Sequence, residues 1–417
     1  MTSLRRYTPR LMSSVEETGV PAPSELRAAI ALIYGAGFVQ CMAQVSFAAS
    51  ATVLRERLNV TDAEYGSIFL PQITLAALGA IGAGTLARRL GLRRLLFWGT
   101  MALAASQAAL FSSLFLPRPF SYLVVLAGTA LMGLGSGTSA APMNAYPQLL
   151  FPFGRESAVV FLHALNGLGL AAGPLMASAL LTRDAWFLFP LILGAANLAL
   201  AGAALRLFLP SASVADAGAA RTTPLPWRAA PFWAFVLMAF LYAVAEGGIA
   251  SWGVIFLRED RGFTAAGAAL GLALFWAGLT VGRLLVASLV LRLQAAPIWL
   301  GLPLLMAGLL LSMPLAASKP ASLALFAAFG LACSGFFPLT ISVASRHFPE
   351  HVPWVSSMVY AGLALGVGAG PFVMGLLRPY GSLTRLYALS AVYPIVAVLL
   401  GEFARRRAPA IPQGSPG

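Results

Sequence analysis

Charge is what this sequence lacks most. Only 10% of its 417 residues are Asp, Glu, Lys or Arg, against about 25% in an ordinary soluble domain. That leaves too little polar surface to cover a water-soluble globule, and the prior of two or three soluble domains for this length gives way. Lysine is reduced to Lys319 alone, so no Gly-x-x-x-x-Gly-Lys-Ser/Thr loop exists and an ATP-driven pump is disfavoured. The two cysteines, Cys41 and Cys333, lie in separate apolar stretches without metal-ligand spacing, and read as small buried hydrophobes. With three histidines, no His-Glu-x-x-His and no paired catalytic carboxylates, neither a catalytic nor a metal site is expected, and the chain reads as no enzyme. The first 25 residues hold Glu16, Glu17, Pro21 and Pro23 and no apolar signal-peptide core, which is expected of a cytoplasmic tail.

What the sequence has is hydrophobicity, at 59% of residues, and a net charge of +13. The basic residues are scattered in short clusters between apolar runs rather than gathered on one face. That is how a membrane protein sets its orientation, and it argues against nucleic acid as a partner. A crossing helix needs about 20 mostly apolar residues. Twelve such runs are found: 28–53, 65–87, 95–116, 121–149, 157–180, 186–209, 231–257, 265–290, 297–317, 321–345, 354–377 and 383–403. We number them spans 1 to 12.

The expected fold is an all-α integral membrane protein, two pseudo-symmetric six-helix bundles over 28–209 and 231–403. The stretch 210–230, rich in Ser, Ala, Pro and Thr, is the expected cytoplasmic linker, with cytoplasmic tails over 1–27 and 404–417. Counting Lys and Arg places seventeen on the side of the termini and nine on the other, with Arg283 inside a span. The excess predicts that both termini are cytoplasmic. The halves also echo each other: Gly133-Leu134 returns as Gly330-Leu331, and Gly169-x-x-x-Gly173-Pro174 returns as Gly366-x-x-x-Gly370-Pro371, both at an offset of 197. Tandem repeats of this kind build secondary transporters with a midplane site between the halves.

Between spans 2 and 3, Gly84-Thr85-Leu86-Ala87-Arg88-Arg89-Leu90-Gly91-Leu92-Arg93-Arg94 resembles the signature Gly-x-x-x-Asp-Arg-x-Gly-Arg-Arg of the major facilitator superfamily. The resemblance covers the whole chain and implies that Gly84, Arg88, Arg89, Gly91, Arg93 and Arg94 form a cytoplasmic gate. The usual Asp is Arg88 here, so the latch that the carboxylate makes in the family is in question. Within the superfamily, Ala245-Glu246-Gly247 through Trp252, Leu162-His163-Ala164 through Gly169, and Gly133-Leu134-Gly135 through Asn144-Ala145-Tyr146 are similar to stretches of the fucose-permease-like sugar/proton symporters and their bacterial relatives. The acidic residue of true fucose permeases in span 4 falls on Ala140, and span 1 offers Gln40 and Gln44 in place of an Asp, so fucose does not transfer as substrate.

Glu246 is the one carboxylate deep inside a span. A charge at the bilayer centre costs about 2.5–3.5 kcal/mol on insertion scales, so intramembrane acids are functional by default. A proton-coupling role is favoured over that of a structural acid. Arg283 shares a helical face with Trp276 and Thr280 at i, i+4, i+7. It reads equally as a substrate cation or as a side chain that snorkels to the interface or pairs at a gate. Gln40 and Gln44 on span 1 and Asn144 on span 4 either bond neighbouring helices or line the cavity, since spans 1, 4, 7 and 10 line it in the family. His163 and Asn166 on span 5 lean structural. Tyr242 is one turn from Glu246, and Trp252 joins that face if the Gly247-Gly248 pair breaks the helix. Phe337 and Tyr360 are second-half candidates.

The favoured function is alternating-access, proton-coupled symport of a small polar solute, with a sugar in view, across the cytoplasmic (inner) membrane. The expected partners are the solute and the lipid bilayer, the protein is expected to be a monomer, and the energy source is a proton gradient rather than a bound cofactor. Open alternatives are a proton-coupled exporter of amphipathic compounds, for which Gly169-x-x-x-Gly173-Pro174 is a partial motif, and an organic-anion carrier using Arg283. An ion channel would want repeated polar rings, and none repeats here.

Overall fold

The computed structural model describes residues 22–151, 155–210, 226–290, 292–293, 295–316 and 318–407. Among the described residues, twelve helices are long and apolar enough to cross a membrane: Pro23–Gln44, Asp62–Ala83, Leu92–Phe115, Phe120–Leu150, Phe161–Leu181, Leu188–Arg206, Ala230–Glu259, Ala265–Val290, Ala296–Leu315, Lys319–His347, Trp354–Tyr380 and Leu383–Arg406. They correspond one to one with the twelve expected spans. In hydrocarbon, backbone polar groups must be satisfied within the segment, which is why apolar runs of this length become helices. An even number of spans puts both described termini at the same end. Much of the expected linker lies outside the described residues, as do 1–21 and 408–417.

The two bundles are packed by the same device. A Cβ on Gly169 or Gly173 of span 5 would meet the carbonyl oxygens of Phe38 or Met42 of span 1 at 2.3 and 2.9 Å. A Cβ on Gly366 or Gly370 of span 11 would meet those of Phe240 or Val244 of span 7, both at 2.3 Å. Glycine at these four positions lets span 5 lie on span 1 and span 11 on span 7 at backbone contact. Between the bundles, span 2 packs on span 11 and span 5 on span 8.

Span 1 is where sequence expectation and structure part. Its helix begins at Pro23 and continues past two breaks, at Val45 and Ser50, as Ser46–Ala49 and Ala51–Leu58. Hydroxyls at the break are held from outside: Gln107 of span 3 donates to Ser46 Oγ at 3.0 Å, and Trp186 donates to Ser50 Oγ at 3.1 Å. Span 7, where Gly247-Gly248 invited a break, is instead one continuous helix from Ala230 to Glu259. Span 10 is interrupted between Cys333 and Phe336, and the Tyr242 hydroxyl donates to the Cys333 carbonyl there at 2.8 Å.

The end opposite the termini is sealed. Gly66 at the start of span 2 meets the end of span 11 so closely that a Cβ would lie 2.7 Å from the Pro371 oxygen. Beneath this contact Tyr65 donates to the Ser251 carbonyl at 2.7 Å and sets its ring edge-on against Trp252, centroids 5.1 Å apart. Above it, Arg55 of span 1 bonds Glu259 of span 7 at 3.1 Å, Arg258 of span 7 bonds Glu56 at 3.1 Å, and Arg378 joins Glu259 at 2.9 Å. Arg55 also pairs with Asp62, and Arg118 with Glu64.

Candidate functional site

Below the seal, a cavity of about 150 Å³ opens between the bundles. Gln44, Val45 and Ala48 reach it from the broken part of span 1, and Phe69, Gln72 and Ile73 from span 2. Leu170 of span 5, Glu246, Gly247, Ala250 and Ser251 of span 7, Trp276 of span 8 and Val367 of span 11 complete the lining. Both halves therefore contribute, and on span 1 Gln44 and Ala48 reach the same space at i, i+4 spacing beside the break at Val45. Most of the wall is apolar; the polar groups are two amides, a carboxylate, a hydroxyl and the Trp276 indole N–H.

Glu246 is half-buried in this wall and makes no ion pair within 4 Å among the described residues. The Trp276 N–H is buried, has no hydrogen-bond acceptor among the described residues, and belongs to a residue that borders the cavity. A buried donor left unpaired costs about 1–3 kcal/mol, which an incoming acceptor would recover. The Gln40 Oε1, one turn from Gln44, is likewise buried without a donor. Arg283 is exposed, seven residues toward the termini end from Trp276, and its charge reaches Cys41, His163, Tyr242 and Glu246. One turn from it on the same face, Thr280 packs against Gly167 of span 5, so this face of span 8 looks toward the other bundle.

Several expected solute contacts have other work. Tyr242 is 3% exposed, its hydroxyl occupied by the carbonyl that the span 10 break releases and its ring packed 5.1 Å from Phe336. Trp252 is fully buried and donates to the Pro371 carbonyl at 3.0 Å, which makes it part of the seal rather than of the cavity wall. The reason is the unbroken span 7: six residues from Glu246, Trp252 is turned toward spans 2 and 11. Asn144 is exposed and donates to the Ala140 carbonyl of its own helix at 2.8 Å, and Thr280 does the same to Trp276 at 2.9 Å. Tyr360 is 58% exposed with its ring 6.3 Å from that of Phe337, and neither borders the cavity. Asn166, in the amide orientation that satisfies its neighbours, donates to the Gly37 and Leu162 carbonyls at 3.2 Å, tying span 5 to span 1. His163, expected to be structural, is exposed, one turn from the Gly167 that meets Thr280.

Gln72 and Ser251 were not singled out from sequence. Gln72 had a signal, an amide one or two turns into span 2, but nothing in its spacing distinguished lining from packing. In the expected gate, Gly84 and Arg88 lie among residues whose side chains fall outside the described ones. Arg89 and Arg94 are exposed, and Gly91 caps span 3 with φ +78°. Arg93 donates to the Leu207 carbonyl at 2.9 Å, which joins span 3 to span 6 within one bundle rather than to the other half.

Three comparisons agree with this architecture. The sequence profile of the Major Facilitator Superfamily matches residues 33–328. The glucose/mannose transporter GlcP of Bacillus subtilis (strain 168) is 24% identical over 355 residues, 82% of this chain and 86% of that protein. An uncharacterised MFS-type transporter of Yersinia pestis is 29% identical over 166 residues, 39% of this chain and 41% of that one. Among solved structures, a bacterial homologue of the human lysosomal transporter Spinster, in an inward-facing, unoccupied conformation, superposes with a TM-score of 0.75 at 16% identity, covering 93% of this chain and 98% of its own. A point mutant of the nucleoside transporter NupG gives 0.73 at 14%, covering 90% and 99%. A profile match over well more than half the chain, on a fold of twelve spans in two bundles, makes this multi-pass membrane protein a member of the major facilitator superfamily, a transporter and not an enzyme.

Proposed function

We propose that the chain is a proton-coupled symporter of a small polar solute, with the cavity between the bundles as the solute site and Glu246 as the coupling group. The observation that carries this is the placement of Glu246: it is the carboxylate on the cavity wall, bordered by both halves and free of any ion pair there. A carboxyl that passes between a dry and a wet surrounding takes up and releases a proton, and coupling follows if solute affinity differs between the two forms. The amides of Gln44 and Gln72 and the free Trp276 N–H are groups that recognise hydroxyls, and the likeness to a glucose/mannose transporter supports a sugar-sized solute. With the termini in the cytoplasm of a bacterial inner membrane, as the arginine count predicts, the sealed end is periplasmic and the cavity opens inward.

Glu246→Gln fixes the neutral form. Vesicles carrying this variant should retain solute counterflow and lose uphill, pH-driven accumulation. Accumulation against a gradient by Glu246→Gln under an imposed proton gradient would overturn the coupling role. The apolar majority of the wall, Val45, Phe69, Ile73, Leu170 and Val367 among it, keeps one second reading: export of amphipathic compounds. Net efflux of a hydrophobic cation from the same vesicles, with no sugar-sized solute moved, would favour it.

A further inference from the structure

The cavity wall has a second layer. Each cavity-lining position on four helices has, three to seven residues nearer the termini end, a polar or titratable group: Gln44 has Gln40 and Cys41, Leu170 has His163, Glu246 has Tyr242, and Trp276 has Arg283. Seven residues along a helix is about 10 Å, so Arg283 stands at the mouth of the cavity on the same face as Trp276. It makes no hydrogen bond or ion pair within 4 Å among the described residues, and the charge it reaches on span 7 is Glu246. Snorkelling to lipid headgroups does not describe it, because Thr280, one turn away on the same face, packs against Gly167 of span 5 rather than lipid. From the other half, His163 is exposed one turn from Gly167, on the face of span 5 that meets Thr280.

Both side chains stand on rigid ground. One turn from Arg283, Thr280 fits against Gly167, where a Cβ would come within 2.6 Å of its hydroxyl. One turn from His163, Asn166 ties span 5 to Gly37 of span 1. An unpaired guanidinium inside the membrane is costly and marks substrate or ion pathways. Its planar fork matches a carboxylate with two parallel hydrogen bonds.

We infer that the transported solute is a small hydroxylated carboxylate, of the sugar-acid class, held by Arg283 with His163 at the cavity mouth and by Gln44, Gln72 and the Trp276 N–H at its hydroxyls. The inference rests on the reading of the cavity as the solute site and narrows its substrate. Because Arg283 and His163 belong to opposite bundles, an anion bridging them also draws the open end together. A carboxylate is therefore recognised and enclosed by the same contact.

The test is calorimetric titration of the purified full-length chain with D-glucuronate and D-gluconate, set against their neutral counterpart D-glucose and against D-mannose. The acids should bind at least about tenfold more tightly than the neutral sugars. Arg283→Gln should weaken acid binding about tenfold or more, Arg283→Lys should fall between, and His163→Gln should weaken it severalfold. Neutral sugars binding as tightly as the acids, acids failing to bind, or undiminished acid binding by Arg283→Gln would each overturn the inference. The wild-type comparison of acid with neutral sugar decides even if a variant does not fold. Proton-driven glucose uptake without acid binding would remove the sugar-acid reading and leave Glu246 as the coupling group. Acid binding with pH-driven accumulation intact in Glu246→Gln would do the reverse.

Discussion

Spans 1 and 7 occupy the same place in the two bundles, and each lies under a Gly-x-x-x-Gly-Pro helix that meets its carbonyls at successive turns. From there they diverge. Span 1 breaks at Val45 and Ser50 and turns amide and small side chains into the cavity; span 7 stays continuous and carries the carboxylate. At the offset of 197 the counterpart of Glu246 is Ala49, that of Ser46 is Ala243, and that of Gln107, which holds the break, is Leu304. The packing is shared and the chemistry is not, so duplication accounts for the scaffold while each half supplies a different part of the site.

The sharpest way to break that comparison is to attack what the halves share. A leucine at Gly173 or at Gly370 would drive a side chain into the facing helix backbone, where not even a methyl fits. Overpacking typically costs about 1–3 kcal/mol and can cost more, and here it acts on a backbone contact. Both variants should lose about 3 kcal/mol or more, seen as a large fall in thermal midpoint and in monodisperse yield of purified protein. Equal losses support one scaffold used twice. A collapse of one variant with the other unharmed would mean that the two Gly-Pro helices carry unequal loads.

A smaller effect should appear where the halves differ. Gln107→Leu removes the donor to Ser46 and leaves a buried hydroxyl at the span 1 break, at a cost of about 1–3 kcal/mol. Because Gln44, Val45 and Ala48 hang from this break, solute affinity should fall severalfold along with stability. Leu304→Ala, at the equivalent position of the other half and 54% exposed, should change neither by a measurable amount. Thermal shift with and without solute separates the two effects.

The twelve spans were legible because hydrocarbon enforces long apolar helices, and the Gly-Pro repeat because close helix contact admits little but glycine. Glu246 was legible by its isolation. The span 1 break was not: Val45, Ser46 and Ser50 carry no Pro or Gly, and the residues that satisfy the break, Gln107 and Trp186, are 61 and 136 positions further along the chain. The same blindness misplaced Trp252: its sequence neighbourhood points at Glu246, but its indole N–H is claimed by the carbonyl of Pro371, 119 residues away. Arg88 was legible as a departure from the family's pattern, and among the described residues the charges that join the halves lie at the other end of the molecule.

Those charges give the smallest effect expected and the finest test of how the two bundles are held. Glu56 and Arg258 form an exposed pair across the halves, beside the reciprocal pair Arg55–Glu259. A single exposed ion pair is worth about 0.2–1 kcal/mol, so Glu56→Arg should shift the balance between sealed and opened states by no more than about fivefold. The direction follows from sign: two arginines now face each other across the seal, and the sealed state loses. Double electron–electron resonance between labels on the ends of spans 1 and 7 should show a growing population of longer distances. Glu56→Arg with Arg258→Glu restores the attraction with its poles exchanged, and should restore the wild-type distribution. About 1 M salt, with a Debye length near 3 Å, should erase most of the difference between wild type and the single variant. If the double exchange fails to rescue, the seal is held by the Gly66–Pro371 backbone contact and the Tyr65–Ser251 bond beneath it, and the charges above are bystanders.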